Sequence, residues 1–138
     1  MKQNPGQLKY KKYHKVNSSY FKLNEQKDFI LTYEYGLKFI DSGKLTSQQL
    51  EACRKVVKRG TKAGFFKIDV FCPFSVTGKS ISSRMGKGKG NFKHWIKIVK
   101  KGYMLCGIAG IEEYKGLKIL KGLKSKLSVK SIVSKIVY

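Results

Sequence analysis

The sequence predicts an α+β fold, a two-layer sandwich of short mixed strands with two helices, extended by a basic N-terminal arm (residues 1–24) and a long basic loop (residues 73–92). Three observations carry this expectation. The 138 residues suffice for one compact domain, here residues 25–138, and a tail. The apolar fraction of 41% and aromatic fraction of 12% can fill a modest core, which excludes a wholly disordered chain. The periodic segments run strand, helix, strand, long loop, hairpin, helix, strand, and few of the connections suit right-handed parallel crossovers.

The arm holds six lysines and no acid, with Tyr10, Tyr13, Tyr20 and Phe21 interleaved, and it lacks a clean period. Leu31, Tyr33, Tyr35, Leu37 and Phe39 then alternate with polar or small residues, which predicts a half-buried strand. Thr46 and Gln49 have the spacing of a capping box, with Leu45 placed to staple onto Leu50. The helix they open puts Leu50, Cys53 and Val57 on one face and ends at Gly60 or Gly64. Phe65 to Cys72 reads as a second strand, with Phe66, Ile68, Val70 and Cys72 facing one way. Trp95–Val99 and Tyr103–Cys106 read as a hairpin closed around Lys101-Gly102, with Trp95 in the core and base stacking as its alternative role. Glu112 to about Lys126 predicts a second helix, its acids at the positive end of the dipole, weakened by Gly116 and Gly122. Lys130 to Val137 closes the chain as a strand.

Charge narrows the function. Thirty Lys and Arg against eight Asp and Glu give a net charge of +22, a self-repulsion that a polyphosphate partner neutralises. No apolar run approaches the roughly 18 residues needed to span a bilayer. The first residues, Met1 to Gly6, have neither a signal-peptide apolar stretch nor an Arg-rich presequence. Cys53, Cys72 and Cys106 are odd in number and far apart, so they predict small buried thiols rather than a disulfide framework or a zinc site.

The chemistry concentrates between Pro73 and Phe92. No acid occurs from Val70 to Ile111, and Gly86, Gly88 and Gly90 alternate with Lys87 and Lys89 behind Arg84 and Met85. Glycines let a backbone approach a ligand closely, and the lysines supply charge, so the segment suits threading among phosphates; a solvated flexible loop is the competing reading. Nucleotide-binding motifs fail. Thr77-Gly78-Lys79-Ser80 mimics the end of a P-loop, but Pro73 stands where its first glycine belongs, and Asn91 stands at the third glycine of a GxGxxG. His14 and His94 lack metal-ligand company, and no nucleophile–base–acid set exists, so neither a catalytic site, a cofactor nor a metal is expected.

The octet Arg84-Met85-Gly86-Lys87-Gly88-Lys89-Gly90-Asn91, followed closely by Trp95, resembles the signature of the bacterial-type L-sixteen family of large-subunit ribosomal proteins. Lys9 to Lys15 resembles the family's basic arm. Gly36-Leu37-Lys38 and Gly43-Lys44-Leu45-Thr46 resemble its first strand and helix start. Phe71 and Pro73 match its step into the loop, and Gly110 to Glu113 its turn into the last helix, so the likeness covers roughly residues 8–138 in order. The resemblance implies an α/β-hammerhead fold and a structural constituent of the large ribosomal subunit. It implies docking on large-subunit rRNA beside the aminoacyl-tRNA site, among neighbouring ribosomal proteins and away from membrane, with the loop pointing to the peptidyl transferase region. The residues it marks for RNA are Lys9, Lys11, Lys12, His14, Lys15, Lys79, Arg84, Met85, Gly86, Lys87, Gly88, Lys89, Gly90 and Asn91. Arg84 matches an arginine that is modified in some bacterial members.

Three departures are visible: Val16 to Phe29 is poorer in Arg and Gly than the family's stretch, Gly116 and Gly122 replace alanines, and only Arg54, Arg59 and Arg84 remain as arginines. The skew to Lys, Ile, Asn, Phe and Tyr is that of AT-rich coding, from which an organelle-encoded protein of the mitochondrial matrix is expected, with plastid or bacterial cytoplasm as alternatives. The competing function is a free-standing basic RNA chaperone, or an anionic-membrane-surface protein using Leu117, Leu120, Leu123 and Leu127.

Overall fold

The computed structural model describes residues 4–6, 8–14, 33–62 and 64–135. Seven strands and two helices follow one another as β1 (Tyr35–Phe39), β2 (Gly43–Thr46), α1 (Ser47–Gly60), β3 (Phe65–Ile68), β4 (Phe74–Gly78), β5 (Asn91–Val99), β6 (Met104–Ala109), α2 (Glu113–Lys124) and β7 (Ser131–Lys135). They form a four-stranded sheet in the order β3-β6-β1-β7 and a three-stranded sheet in the order β2-β5-β4. Every described pairing is antiparallel. The fold is α+β, as the sequence predicts.

The core lies where one face of the larger sheet meets both helices. Tyr35 and Leu37 of β1, Cys106 and Ile108 of β6 and Ile68 of β3 join one buried cluster with Leu50, Cys53, Val57, Leu120 and Leu123. Burial of that kind stabilises by about 1.5–3 kcal/mol per large aliphatic side chain. Leu120 and Leu123 are fully buried and Leu117 and Leu127 pack against the cluster, so this leucine row is spent on the core and not offered to a lipid surface.

The start of α1 forms as its sequence dictates. The Gln49 N–H donates to the Thr46 hydroxyl at 3.3 Å, and the Thr46 N–H donates to the Gln49 carboxamide oxygen at 3.0 Å. The helix ends at Gly60, where the Thr61 N–H and hydroxyl both donate to the Val57 carbonyl, at 2.8 and 2.9 Å. Gly60 is there because α2 crosses closely: a Cβ would meet Ile119 at 2.5 Å.

Four expectations change. The hairpin expected from Trp95–Val99 and Tyr103–Cys106 does not exist, because β5 is the middle strand of the smaller sheet and β6 lies inside the larger one. Lys101-Gly102 instead turns the chain from one sheet to the other, with Gly102 at φ 81° and its N–H donating to the Phe39 carbonyl at 2.8 Å. Turn chemistry is the same for a hairpin and for such a corner, so local residues cannot separate them. Strands also occupy both ends of the expected 73–92 loop, leaving residues 79–90 as the loop proper. The Phe74-Ser75-Val76-Thr77 alternation is the signal for β4. Pairing of β3 stops at Ile68, although Val70 and Cys72 are buried as expected. Finally, β2 precedes α1 without a break, a four-residue strand too short to show a period. Leu31 lies outside the described residues.

Trp95 is half-buried, packs against the core and meets Phe92 with ring centroids 5.1 Å apart. The two sheets are also tied by charge. Asp69, just after β3, accepts a hydrogen bond from the Tyr103 hydroxyl and pairs with the Lys97 ammonium on β5. Burial raises the Asp69 pKa, but the hydrogen bonds from Lys97 and Tyr103, the Lys97 charge and the Phe71 N–H outweigh it, so the carboxyl ends below its usual range.

Candidate nucleic-acid interface

The acid-free segment is a β-hairpin. β4 pairs with β5 from Phe74 opposite Ile96 to Gly78 opposite Asn91, with a register shift after Val76 that leaves Lys93 as an extra residue. Gly90 permits the closure at the base: a Cβ there would stand 2.5 Å from the Gly78 carbonyl oxygen. From Lys79 to Lys89 every residue is exposed. Gly86, Lys87 and Gly88 are successively left-handed, at φ 93°, 55° and 73°. Two of those positions need glycine for conformation alone, since a Cβ at Gly86 or Gly88 would meet nothing within 4 Å. The Lys79 ammonium donates to the Gly86 carbonyl at 2.6 Å and holds that turn from inside.

The arm lies against this hairpin. The Ser75 hydroxyl donates to the Lys11 carbonyl, and the Lys12 ammonium donates to the Lys89 carbonyl at 3.2 Å. In return the Lys89 ammonium donates to the Tyr13 carbonyl. Tyr13 and His14 border a cleft of about 310 Å³ that the arm forms with Phe74, Thr77 and Lys44. Lys9 and Tyr10 lie further out, with the Lys9 ammonium 5.6 Å from the exposed Tyr10 ring centroid.

Of the residues marked in the sequence, Lys9, Lys11, Lys12, His14, Lys79, Lys89, Gly90 and Asn91 gather along one hairpin with its docked arm. Arg84, Met85, Gly86, Lys87 and Gly88 form its exposed tip, and Lys15 lies outside the described residues. The cations divide into two sets. Lys12, Lys79 and Lys89 are tied to main-chain carbonyls, whereas Arg84 and Lys87 make no hydrogen bond or ion pair among the described residues. Ile81 and Met85 stand beside them almost wholly exposed, at 107% and 99%. Such a tip presents two charged groups, two apolar side chains and bare backbone to a partner. Sequence reasoning missed Ser75 and Lys44, which hold the arm and wall the cleft. Their role comes from contacts between segments distant in the chain, 64 residues apart for Ser75 and Lys11, which leave no local mark.

The three thiols are unsuited to chemistry. Burial pushes Cys53 and Cys72 up to about 11 and Cys106 up to about 12.

The model of the family described as ribosomal protein L16p/L10e matches residues 5–134. The chain belongs to this family. Its relatives include proteins named large ribosomal subunit protein uL16 from Buchnera aphidicola subsp. Cinara cedri and Thermosipho africanus. The first is 38% identical over 135 residues, 96% of this chain and 97% of the relative. The second is 35% identical over 133 residues, 95% of this chain and 92% of the relative. The uL16 of Fervidobacterium nodosum is 34% identical over 130 residues, 92% and 89% of the two chains. The L16p/L10e match thus runs from the docked arm through the hairpin to β7, as the glycine–lysine octet implies.

Proposed function

We infer that this chain is a structural constituent of the large ribosomal subunit, not an enzyme, and that it holds large-subunit rRNA through the hairpin and its docked arm. The observation that supports this most is the hairpin itself: an exposed, acid-free tip with a glycine–lysine backbone in left-handed conformation, carried by an L16p/L10e chain. Cations that neutralise phosphates release counterions, and ammonium or guanidinium groups on an exposed finger do so with little desolvation cost. The domain reading follows, with residues 1–24 as an RNA-binding arm and 25–138 as the body. By the family resemblance the tip lies near the aminoacyl-site tRNA, and the subunit's neighbouring proteins are its other partners. The compartment we favour is the mitochondrial matrix, on the strength of 27 lysines against three arginines.

The test is sucrose-gradient sedimentation of native extract, probed for this chain at moderate and high salt, with and without nuclease. Co-migration with the large subunit that survives high salt but not nuclease is the expected result. Migration near the top of the gradient refutes the reading. For the tip, Arg84→Ala impairs assembly or tRNA accommodation more than Lys67→Ala, which changes a strand residue; equal effects remove the tip's special role.

A further inference from the structure

We propose that a second RNA-contact site lies where α1 ends, and that it takes an unpaired nucleotide, the base stacked on Phe65 and the phosphates on Arg59 and Lys62. The proposal rests on the RNA-binding reading above and extends it to a separate surface. A cleft of about 440 Å³ opens there, with Arg59, Lys62 and Lys115 on its walls against one carboxylate, Glu112. Glu112 and Lys115 are already paired at 3.1 Å, so Arg59 and Lys62 supply the net positive charge, and neither has an ion-pair partner among the described residues. Gly110 forms part of the lining and, with nothing nearer than the Phe65 ring to where its Cβ would stand, leaves its main chain open to close approach by a phosphate, whereas Gly64 is covered by Ile111.

At the rim stands an aromatic platform. Phe65, the first residue of the edge strand β3, is 78% exposed, and its ring lies 3.9 Å from where a Cβ on Gly110 would be. An isolated exposed phenylalanine needs no explanation. An exposed ring beside a glycine-lined basic cleft is the combination that holds single-stranded nucleic acid, because bases stack on the ring while cations track the backbone. A duplex, its bases already stacked, gains nothing from the ring. The site is remote from the hairpin. α1 begins directly from β2 of the hairpin sheet and ends at this cleft, so its 14 residues put about 21 Å between the end of β2 and the cleft.

The experiment measures binding of the full chain to fluorescein-labelled decauridylate, to a ten-base-pair RNA duplex and to a decaglutamate peptide, each across a salt series. Phe65→Ala is expected to weaken decauridylate binding about tenfold, to leave the duplex unchanged and to be rescued by Phe65→Tyr. The double variant Arg59→Ala/Lys62→Ala is expected to flatten the log–log salt slope for decauridylate by roughly 0.7 per lost phosphate contact. All the changed side chains are exposed or at the surface, and thermal melting confirms that the variants fold. Decauridylate binding unaffected by both variants, but weakened by Arg84→Ala/Lys87→Ala, overturns the second site and leaves the hairpin reading intact. A parent chain that binds neither RNA removes both readings. Peptide binding that depends on Arg59 and Lys62 while decauridylate binding does not assigns the cleft to an acidic protein segment and equally overturns the proposal.

Discussion

Asp69→Asn tests whether the bridge between the sheets holds the hairpin to the body. The carboxylate is the counter-charge of Lys97, whose side chain is only 12% exposed, and it accepts the Tyr103 hydroxyl proton. Replacement by a neutral amide leaves an ammonium confined between two sheets and keeps only part of the hydrogen bonding. Loss of one partner of a fully buried pair costs roughly 3–5 kcal/mol. The Asp69 side chain remains 33% exposed, so water recovers part of this and about 2 kcal/mol is expected. In a chain of 138 residues that corresponds to a fall in Tm of about 5–10 °C. Urea unfolding at neutral pH, followed through the fluorescence of the single tryptophan, Trp95, reads the change directly. The pH dependence has a definite sign. Because the folded carboxyl titrates below its unfolded value of about 3.9, its contribution is complete above that pH and disappears as acid carries the solution down through the lower, folded value. The parent therefore loses stability in that acid window, and Asp69→Asn loses less. Combining Asp69→Asn with Lys97→Met should restore stability, since the stranded charge is gone. An Asp69→Asn chain within 0.5 kcal/mol of the parent, or a double variant weaker than the sum of the singles, refutes the reasoning.

Further expectations concern glycines and thiols. Gly122→Ala in α2 should stabilise by about 0.5–1 kcal/mol in urea titration, because a Cβ there meets nothing within 4 Å and the helix gains propensity. Gly90→Ala should do the reverse at the hairpin base: the new Cβ falls 2.5 Å from the Gly78 carbonyl oxygen, so rRNA affinity drops severalfold while the urea midpoint of the body is nearly kept. Iodoacetamide at pH 8 should leave Cys53, Cys72 and Cys106 unmodified in the folded chain and label all three in denaturant, read by intact mass; rapid labelling of the native protein would contradict their burial and raised thiol pKa values.

The capping box of α1 was legible because it is local: Thr46 and Gln49 satisfy each other within one turn, and the residues that follow repeat at helical spacing. The octet from Arg84 to Asn91 was legible for a related reason, since left-handed backbone favours glycine, as at Gly86 and Gly88. Pairing partners were not. Trp95–Val99 and Tyr103–Cys106 both read as strands, yet which sheet each joins depends on β2 and β4, four and five residues long and weak in pattern. The arm's docking was hidden more completely, because Ser75 and Lys89 grip main-chain carbonyls, which every sequence possesses.

The mutual grip of arm and hairpin has a consequence for biosynthesis. Lys12 leaves the ribosome that makes it 77 residues before Lys89, the partner that takes its ammonium. At roughly 5–20 residues per second, that gap lasts about 4–15 s. Throughout the interval the lysines of the arm have no hairpin to rest on, and any nearby polyanion can claim them. The finger therefore acquires its shape only once β5 has emerged, and the newborn chain is most prone to errant capture by nucleic acid just before that.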